Sequence, residues 1–255
     1  MKFRLIILSV LLSCLSAMAQ SDTIKVKVMT YNLRFGELAS LEQLAQHIKS
    51  FNPDFVALQE VDCNTMRERA PHQNGKNFVT ELAYHTGMFG FYCKNINYAG
   101  GYYGIGILSK YPMIYIEKML LPNPEKKEQR GLIVGNFEME QDTITFACTH
   151  LEVSSEKTRL QQVDFINNYF KDAKYPTILG GDFNTQPSQK PIVEMRKVWG
   201  NVTNDDLTYP SWAPRTKIDY LFTLPQKGWK VIRTQAVHSV LSDHLPIVTE
   251  MEYIR

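Results

Sequence analysis

Residues 24–62, IKVKVMTYNLRFGELASLEQLAQHIKSFNPDFVALQEVD, read as a strand, a helix and a second strand. Ile24 to Tyr31 alternates apolar and polar side chains with period two, the pattern of a half-buried strand. Ser40 then opens a helix, with Gln43 three residues on as its capping-box partner. Leu41, Leu44, Ala45, Ile48 and Phe51 share one face of that helix. Asn52-Pro53 stops it, because the residue before a proline avoids helical angles. Phe55-Val56-Ala57-Leu58 follows as a buried strand and runs into Gln59-Glu60-Val61-Asp62. Acidic side chains thus stand at the carboxyl end of a strand, the edge at which open α/β sheets bind ligands.

Downstream, the pattern predicts a helix over 77–85 and then strands at 89–96, 103–109, 113–120, 131–138 and 143–149, with no helix between them. A long helix at about 155–172 carries Leu160, Val163, Ile166 and Phe170 on one face and leads into the apolar run Thr177 to Asp182. Short strands near 217–223, 229–237 and 246–253 close the chain. Helices and strands in this order predict a layered α/β sandwich with mixed sheets. No repeat, low-complexity tract or Gly/Ser/Pro-rich linker divides it, so one domain over 22–255 is expected. Gly101, Gly104 and Gly106 do not make a nucleotide loop, since Ser109 breaks the spacing and no helix follows; thin-strand packing is the reading.

The first twenty residues have the form of an export signal: Lys2 and Arg4, the apolar run Leu5 to Leu12, then Ala17-Met18-Ala19 as a small-x-small cleavage site. A periplasmic or extracellular location is expected. Leu11-Leu12-Ser13-Cys14 is a looser competitor, a lipoprotein box with Cys14 as the anchored residue. No apolar run approaches the ~20 residues that a bilayer span needs. The full chain of 255 residues carries 28 Lys+Arg against 26 Asp+Glu, and removal of Lys2 and Arg4 balances the two. Bulk charge therefore gives no reason to expect a polyanion partner. Four cysteines, Cys14, Cys63, Cys93 and Cys148, form no CxxC pair, which excludes a zinc-ribbon or thioredoxin signature. One Cys63–Cys93 bridge stays open, and Cys148 reads as a buried small hydrophobe.

Polar residues gather where apolar strands end: Tyr31-Asn32-Leu33-Arg34, Gln59-Glu60, Thr149-His150, Gly180-Gly181-Asp182-Phe183-Asn184, Lys217-Ile218-Asp219-Tyr220 and Ser242-Asp243-His244. Taken singly, Glu60 is a solvated strand terminus, Asp62 likewise, His150 a buried histidine, and Asp182 with Asn184 a turn. Asp219 lies in an apolar run, where a carboxylate needs a partner to offset its desolvation. Taken together, Asn, Glu, Asp and two His with almost no surplus suit one hard cation plus acid–base groups. Oxygen-rich sets select Mg²⁺, Mn²⁺ or Ca²⁺ over zinc, and Mg²⁺ takes one or two carboxylates and leaves room for phosphate oxygens. Metal-assisted phosphoester hydrolysis uses those parts.

MTYNLRFG, ALQEVD, GIGILSKYP, FACTHLE, GGDFNTQP, KIDYLF and SDHLPI, in this order, resemble the endonuclease/exonuclease/phosphatase family, the DNase I-like fold. The resemblance covers nearly the whole chain after residue 20, and GGDFN with SDHLP is its specific part. It implies a four-layered α/β/β/α sandwich of two mixed sheets packed face to face. It also implies an Mg²⁺- or Mn²⁺-dependent phosphoesterase, with Glu60 and Asn32 at the metal and Asp243 a further acidic residue near it. Asp182 is similar to the aspartate that orients or deprotonates the attacking water, and Asn184 to the amide that holds water and phosphate. His244 resembles the catalytic histidine, steered by Asp219, and His150 the second histidine that faces the phosphate or leaving group. Where one branch of the family has an aspartate two residues after the asparagine, this chain has Arg34, a candidate phosphate contact. Arg130, at a strand start, is a phosphate contact or a surface residue with equal weight. No acidic residue stands in Tyr102 to Ile107 to pair with His150, which leaves that histidine without an assigned partner. Tyr102, Tyr103, Tyr209 and Trp212 are cleft candidates, with strand packing as the plainer reading. The family acts on DNA, RNA, phosphoinositides, sphingomyelin and small diesters. Balanced charge favours a small or lipid-derived diester over nucleic acid, and a monomer is expected. A secreted nuclease and a silent phospho-ligand binding module are the alternatives.

Overall fold

The structure is a computed structural model that describes residues 23–139 and 142–254. The segment 1–20 expected to direct export, with Cys14 in it, lies outside the described residues. In chain order the strands are β1 (Thr23–Asn32), β2 (Phe55–Cys63), β3 (Phe89–Tyr98), β4 (Gly101–Ser109), β5 (Met113–Leu120), β6 (Gly131–Met139), β7 (Asp142–His150), β8 (Thr177–Asp182), β9 (Gly200–Asn201), β10 (Asp219–Leu224), β11 (Trp229–Ala236) and β12 (Ile247–Ile254). The helices are α1 (Leu41–Phe51), α2 (Phe78–Thr86), α3 (Glu156–Tyr169) and α4 (Lys190–Val198).

Two six-stranded sheets result, ordered β11-β12-β1-β2-β4-β3 and β5-β6-β7-β8-β10-β9. Each is mixed, because β1 runs parallel to β2 and β7 to β8, while the other pairs are antiparallel. Their inner faces share one apolar core, in which Val28, Phe55, Ala57 and Ile107 of the first sheet meet Phe137, Ile144, Phe146 and Ile178 of the second. The rings of Phe55 and Phe146 stack across it with centroids 5.0 Å apart. The buried faces of α1 and α2 cover the outer side of the first sheet, and those of α3 and α4 the outer side of the second. The order of layers is α/β/β/α. That sandwich explains why β1 alternates only at its start: from Val28 onward the core lies on one side and the helices on the other, so both faces are buried.

Local signals behave as their chemistry dictates. Ser40 and Gln43 complete a reciprocal capping box on α1, and Asn52 ends that helix in the left-handed region at φ 52°. Strand β4 is thin for a reason, since a Cβ added at Gly104 would stand 2.0 Å from the Cys93 carbonyl oxygen. Helix α4 has no counterpart in the sequence reading. Its Gln189 cap makes no side-chain bond, and Pro191, a breaker inside a helix, is tolerated here in the first turn.

One open alternative closes and one expectation is corrected. Cys63 and Cys93 are free and buried. They belong to β2 and β3, which flank β4 on opposite sides, Cys63 facing Tyr102 and Cys93 facing Ile105. Two strand spacings of ~4.8 Å already exceed the reach of a disulfide. Asp62 is not a solvated terminus: it is 1% exposed and accepts from Arg67 Nε at 2.8 Å, Arg67 Nη2 at 2.9 Å and Thr65 Oγ1 at 2.7 Å. Arg67 is held in turn between the rings of Phe35 and Tyr98, 4.0 and 4.1 Å from their centroids. Among the described residues no helix is long and apolar enough to cross a membrane.

Because Asp62 and Arg67 satisfy each other away from water, Arg67→Met strands a buried carboxylate. It is expected to cost about 3–5 kcal/mol in urea unfolding. A loss below about 1 kcal/mol, typical of an exposed pair, would contradict this assignment.

Candidate active site

Strand register assembles the site. His150 on β7 lies opposite Asp182 on β8, and Asp182 lies opposite Asp219 on β10, so three functional side chains share one rung at the end of the second sheet. At the same edge of the first sheet, Asn32 ends β1 opposite Gln59 of β2, and Glu60 follows in a β-bulge between Gln59 and Val61. Glu60 takes φ 57°, an uncommon conformation for a residue with a Cβ, and the bulge re-aims its side chain. Arg34 at φ 45° and Asn184 at φ 48° sit in the same left-handed region beside it. Arg34, Phe35, Glu60 and Asn184 are four of the eight non-glycine residues with positive φ among the described residues, and Glu60, in its bulge, points to a functional site at this edge.

The two sheets are joined through Asn32, whose side chain is fully buried. Its Nδ2 donates to Glu60 Oε1 at 3.2 Å and to Asp182 Oδ2 at 3.1 Å, while its Oδ1 accepts from the Arg34 backbone N at 3.0 Å. The amide therefore turns its donor, not its oxygen, toward the carboxylates. Asp182 Oδ1 accepts from the Asn184 backbone N at 2.8 Å, and Asn184 Nδ2 donates to the Leu151 carbonyl at 3.0 Å. His150 Nε2 and His244 Nε2 approach Asp182 Oδ2 to 3.5 and 3.7 Å.

His244 Nδ1 donates to Asp219 Oδ2 at 2.9 Å. Burial opposes charging this imidazole, but the carboxylates of Asp219 and Asp182 push it up to about 10, so it is cationic at neutral pH. Burial, then the positive charges of Arg130 and His244, hold His150 well below the usual imidazole range. Burial and the neighbouring Asp219 charge raise Asp182, with His244 pulling the other way. Glu60 is also raised, by desolvation, against the pull of His244 and Asn32. One ligand atom each from Asp182, Asp219 and His244 lie within 4.8 Å of one another. Cationic His244 has no lone pair to offer, so of these three only the carboxylates could face a cation, and oxygen donors suit a hard divalent one. Glu60 and Asp182, linked by Asn32, are the carboxylates not already committed to an arginine or histidine hydrogen bond.

Asp243, Arg34 and Arg130 stand at the rim of this group. Arg34 Nη1 donates to Asp243 Oδ2 at 2.8 Å, and its Nε pairs with Glu37. Ser242 Oγ donates to the Asn32 carbonyl at 2.7 Å, which fastens the Ser242-Asp243-His244 turn to β1. Arg130 is buried, not a surface residue: its Nη1 donates to His150 Nδ1 at 2.9 Å and meets Glu128 Oε1 at 3.0 Å. Of the aromatic candidates, Tyr209 packs its ring 4.9 Å from the His244 ring, Tyr103 is buried, and Trp212 is 65% exposed. Glu37 and Glu128 were missed by sequence reading, although each lies two or three residues from the arginine it holds.

A profile of the endonuclease/exonuclease/phosphatase family matches residues 29–244. The chain belongs to the endonuclease/exonuclease/phosphatase family. As a member it is a phosphoester hydrolase. It is 23% identical over 262 residues to the uncharacterized protein YbhP of Escherichia coli K12, covering 91% of this chain and 98% of YbhP. A family structure from Beutenbergia cavernae superposes with a TM-score of 0.75 at 18% identity, over 90% of this chain and 72% of the other. A mannosyl-6-phosphatase of Bacteroides thetaiotaomicron gives a TM-score of 0.70 at 16% identity, over 89% and 99% of the two chains. At these identities the likeness is one of fold, the DNase I-like sandwich.

Because Asp219 holds the His244 ring by its hydrogen bond to Nδ1, Asp219→Asn and His244→Ala are each expected to lower kcat by ~10²-fold or more, with the fold kept. The double variant is expected to be little worse than His244→Ala alone. Steady-state kinetics showing fully additive losses would separate the two residues.

Proposed function

We propose that this hydrolase is an exported, Mg²⁺- or Mn²⁺-dependent phosphodiesterase whose preferred substrate is a small or lipid-derived diester. The observation that carries the reading is the pair of raised carboxylates, Glu60 and Asp182, bridged by the Asn32 amide where the two sheets meet. Glu60 and Asp182 would hold the cation, with Asp243 close by. The bound cation supplies Lewis-acid polarisation of the phosphoryl oxygens and stabilises the leaving oxyanion. Asp182 orients the attacking water and takes its proton. Asn184, clamped by its backbone N to Asp182, keeps its Oδ1 available for that water. Cationic His244 donates to the charged transition state, and Asp219 holds its ring.

The preference for a small substrate rests on how the basic residues are used. Arg34 is neutralised by Glu37 and Asp243, and Arg130 by Glu128. Lys217 is 1% exposed, lies over the Tyr220 ring at 4.9 Å, and burial pulls its ammonium down to about 8. Polyanion binding needs several free Lys or Arg contacts that release counterions, and these three do not supply them. The segment 1–20 supports export.

Turnover should vanish in EDTA and return with Mg²⁺ or Mn²⁺ across a panel of small diesters, phosphomonoesters, sphingomyelin and plasmid DNA. Glu60→Gln is expected to shift the Mg²⁺ titration upward by about tenfold or more, since a neutral amide replaces a charged ligand. Full activity in EDTA would contradict the metal role. Salt-resistant plasmid cleavage with no turnover of small diesters would replace the substrate assignment by a nuclease, and exclusive turnover of phosphomonoesters by a phosphatase.

A further inference from the structure

Two histidines approach the same oxygen of Asp182, and their far nitrogens are wired in opposite senses. His244 Nδ1 faces a carboxylate, Asp219, which can only accept. His150 Nδ1 faces a guanidinium, Arg130, which can only donate. Nη1 of Arg130 carries two hydrogens, one for His150 at 2.9 Å and one for Glu128 Oε1 at 3.0 Å. The lone pair of His150 Nδ1 is thereby used, and its proton must reside on Nε2, the nitrogen that faces Asp182 Oδ2 at 3.5 Å.

We infer that Arg130 is a positioning residue that locks His150 in the Nε2–H form, so that His150 presents a fixed neutral hydrogen-bond donor to the phosphoryl or leaving oxygen of the substrate. The inference rests on the hydrolase site proposed above and deepens it. With its Nδ1 lone pair engaged and Nε2 already protonated, His150 has no free position from which to accept the proton of the attacking water. That work falls to Asp182, and the positive charge at the site is that of His244.

Local structure supports the lock. Leu132 pairs with Thr149 on β6 and β7, which sets Arg130, two residues before Leu132, beside His150 at the strand end. Both side chains are buried, Arg130 at 5% and His150 at 3% exposure, so water competes weakly for either nitrogen. Glu128 holds the guanidinium from the outside. Asymmetry between the two histidines thus follows from one carboxylate and one guanidinium placed on opposite flanks of Asp182.

The test combines a readout without turnover and one with it. In ¹⁵N-detected NMR of the full protein labelled at histidine, His150 is expected to show a bare Nδ1 and a protonated Nε2. In Arg130→Met this pattern should become a mixture of tautomers, and in Arg130→Lys, whose ammonium also only donates, it should persist. On whichever phosphoester is turned over, Arg130→Met should lower kcat by ~10–100-fold with little change in KM, and Arg130→Lys should recover most of it. Because Arg130 acts through His150, Arg130→Met should cost nothing more in a His150→Ala background. A protonated Nδ1 in the unsubstituted protein overturns the inference and leaves the hydrolase reading intact. So does a further loss in the double variant, which would make Arg130 a direct phosphate contact. Absence of any phosphoester turnover would defeat the hydrolase reading instead, and the NMR pattern would still decide the tautomer.

Discussion

The carboxylate of Asp182 is the point on which the two halves of the molecule close. Asn32 reaches it from the first sheet, His150 and His244 approach the same oxygen, and Asn184 clamps the other oxygen through its backbone. Each partner arrives from the carboxyl end of a strand or the turn after it, except His244, which stands in the turn that leads into β12. The site exists only because two apolar faces, led by Phe55 against Phe146, hold those ends together. Burial that stabilises the sandwich also withdraws Asp182 from water, and that withdrawal raises its carboxyl.

The chemistry of the edge is decided by how charge is distributed around that oxygen. Asp219 spends its charge on His244 and makes it a cation. Arg130 spends its hydrogen bond on His150, which stays neutral. Arg34 and Asp243 cancel each other at the rim. What remains uncompensated is the pair Glu60 and Asp182, and a divalent cation is the simplest group that satisfies both. Two buried carboxylates and a strained bulge at Glu60 are costly to keep for the hydrogen bonds to Asn32 alone, and a function at this edge accounts for them.

Much of this was legible in the sequence, because catalytic groups in a strand-built site follow apolar runs and are followed by turns. Glu60 after Phe55–Leu58, and Asp182 after Thr177–Leu179, announce themselves in that way. What the sequence hides is lateral pairing. His150, Asp182 and Asp219 lie 32 and 37 residues apart along the chain yet share a rung, and no local pattern encodes strand order. Asp62 reads as exposed because its partner, Arg67, sits in an irregular loop, where periodicity carries no information. The partner of His150 escapes a search for acids because it is an arginine. Helix α4 is masked by Pro191, whose meaning reverses between the first turn of a helix and its interior.

The central claim is that the carboxylates at the sheet junction are built for a cation. Crystals grown with Mn²⁺ and measured at its absorption edge test this most directly, because anomalous scattering locates the ion without reference to turnover. The account predicts one strong peak in the cleft, within about 2.0–2.3 Å of a Glu60 oxygen and bordered by Asp182, at millimolar Mn²⁺. No peak at that junction, or a peak held only by surface carboxylates remote from Asp182, would contradict it.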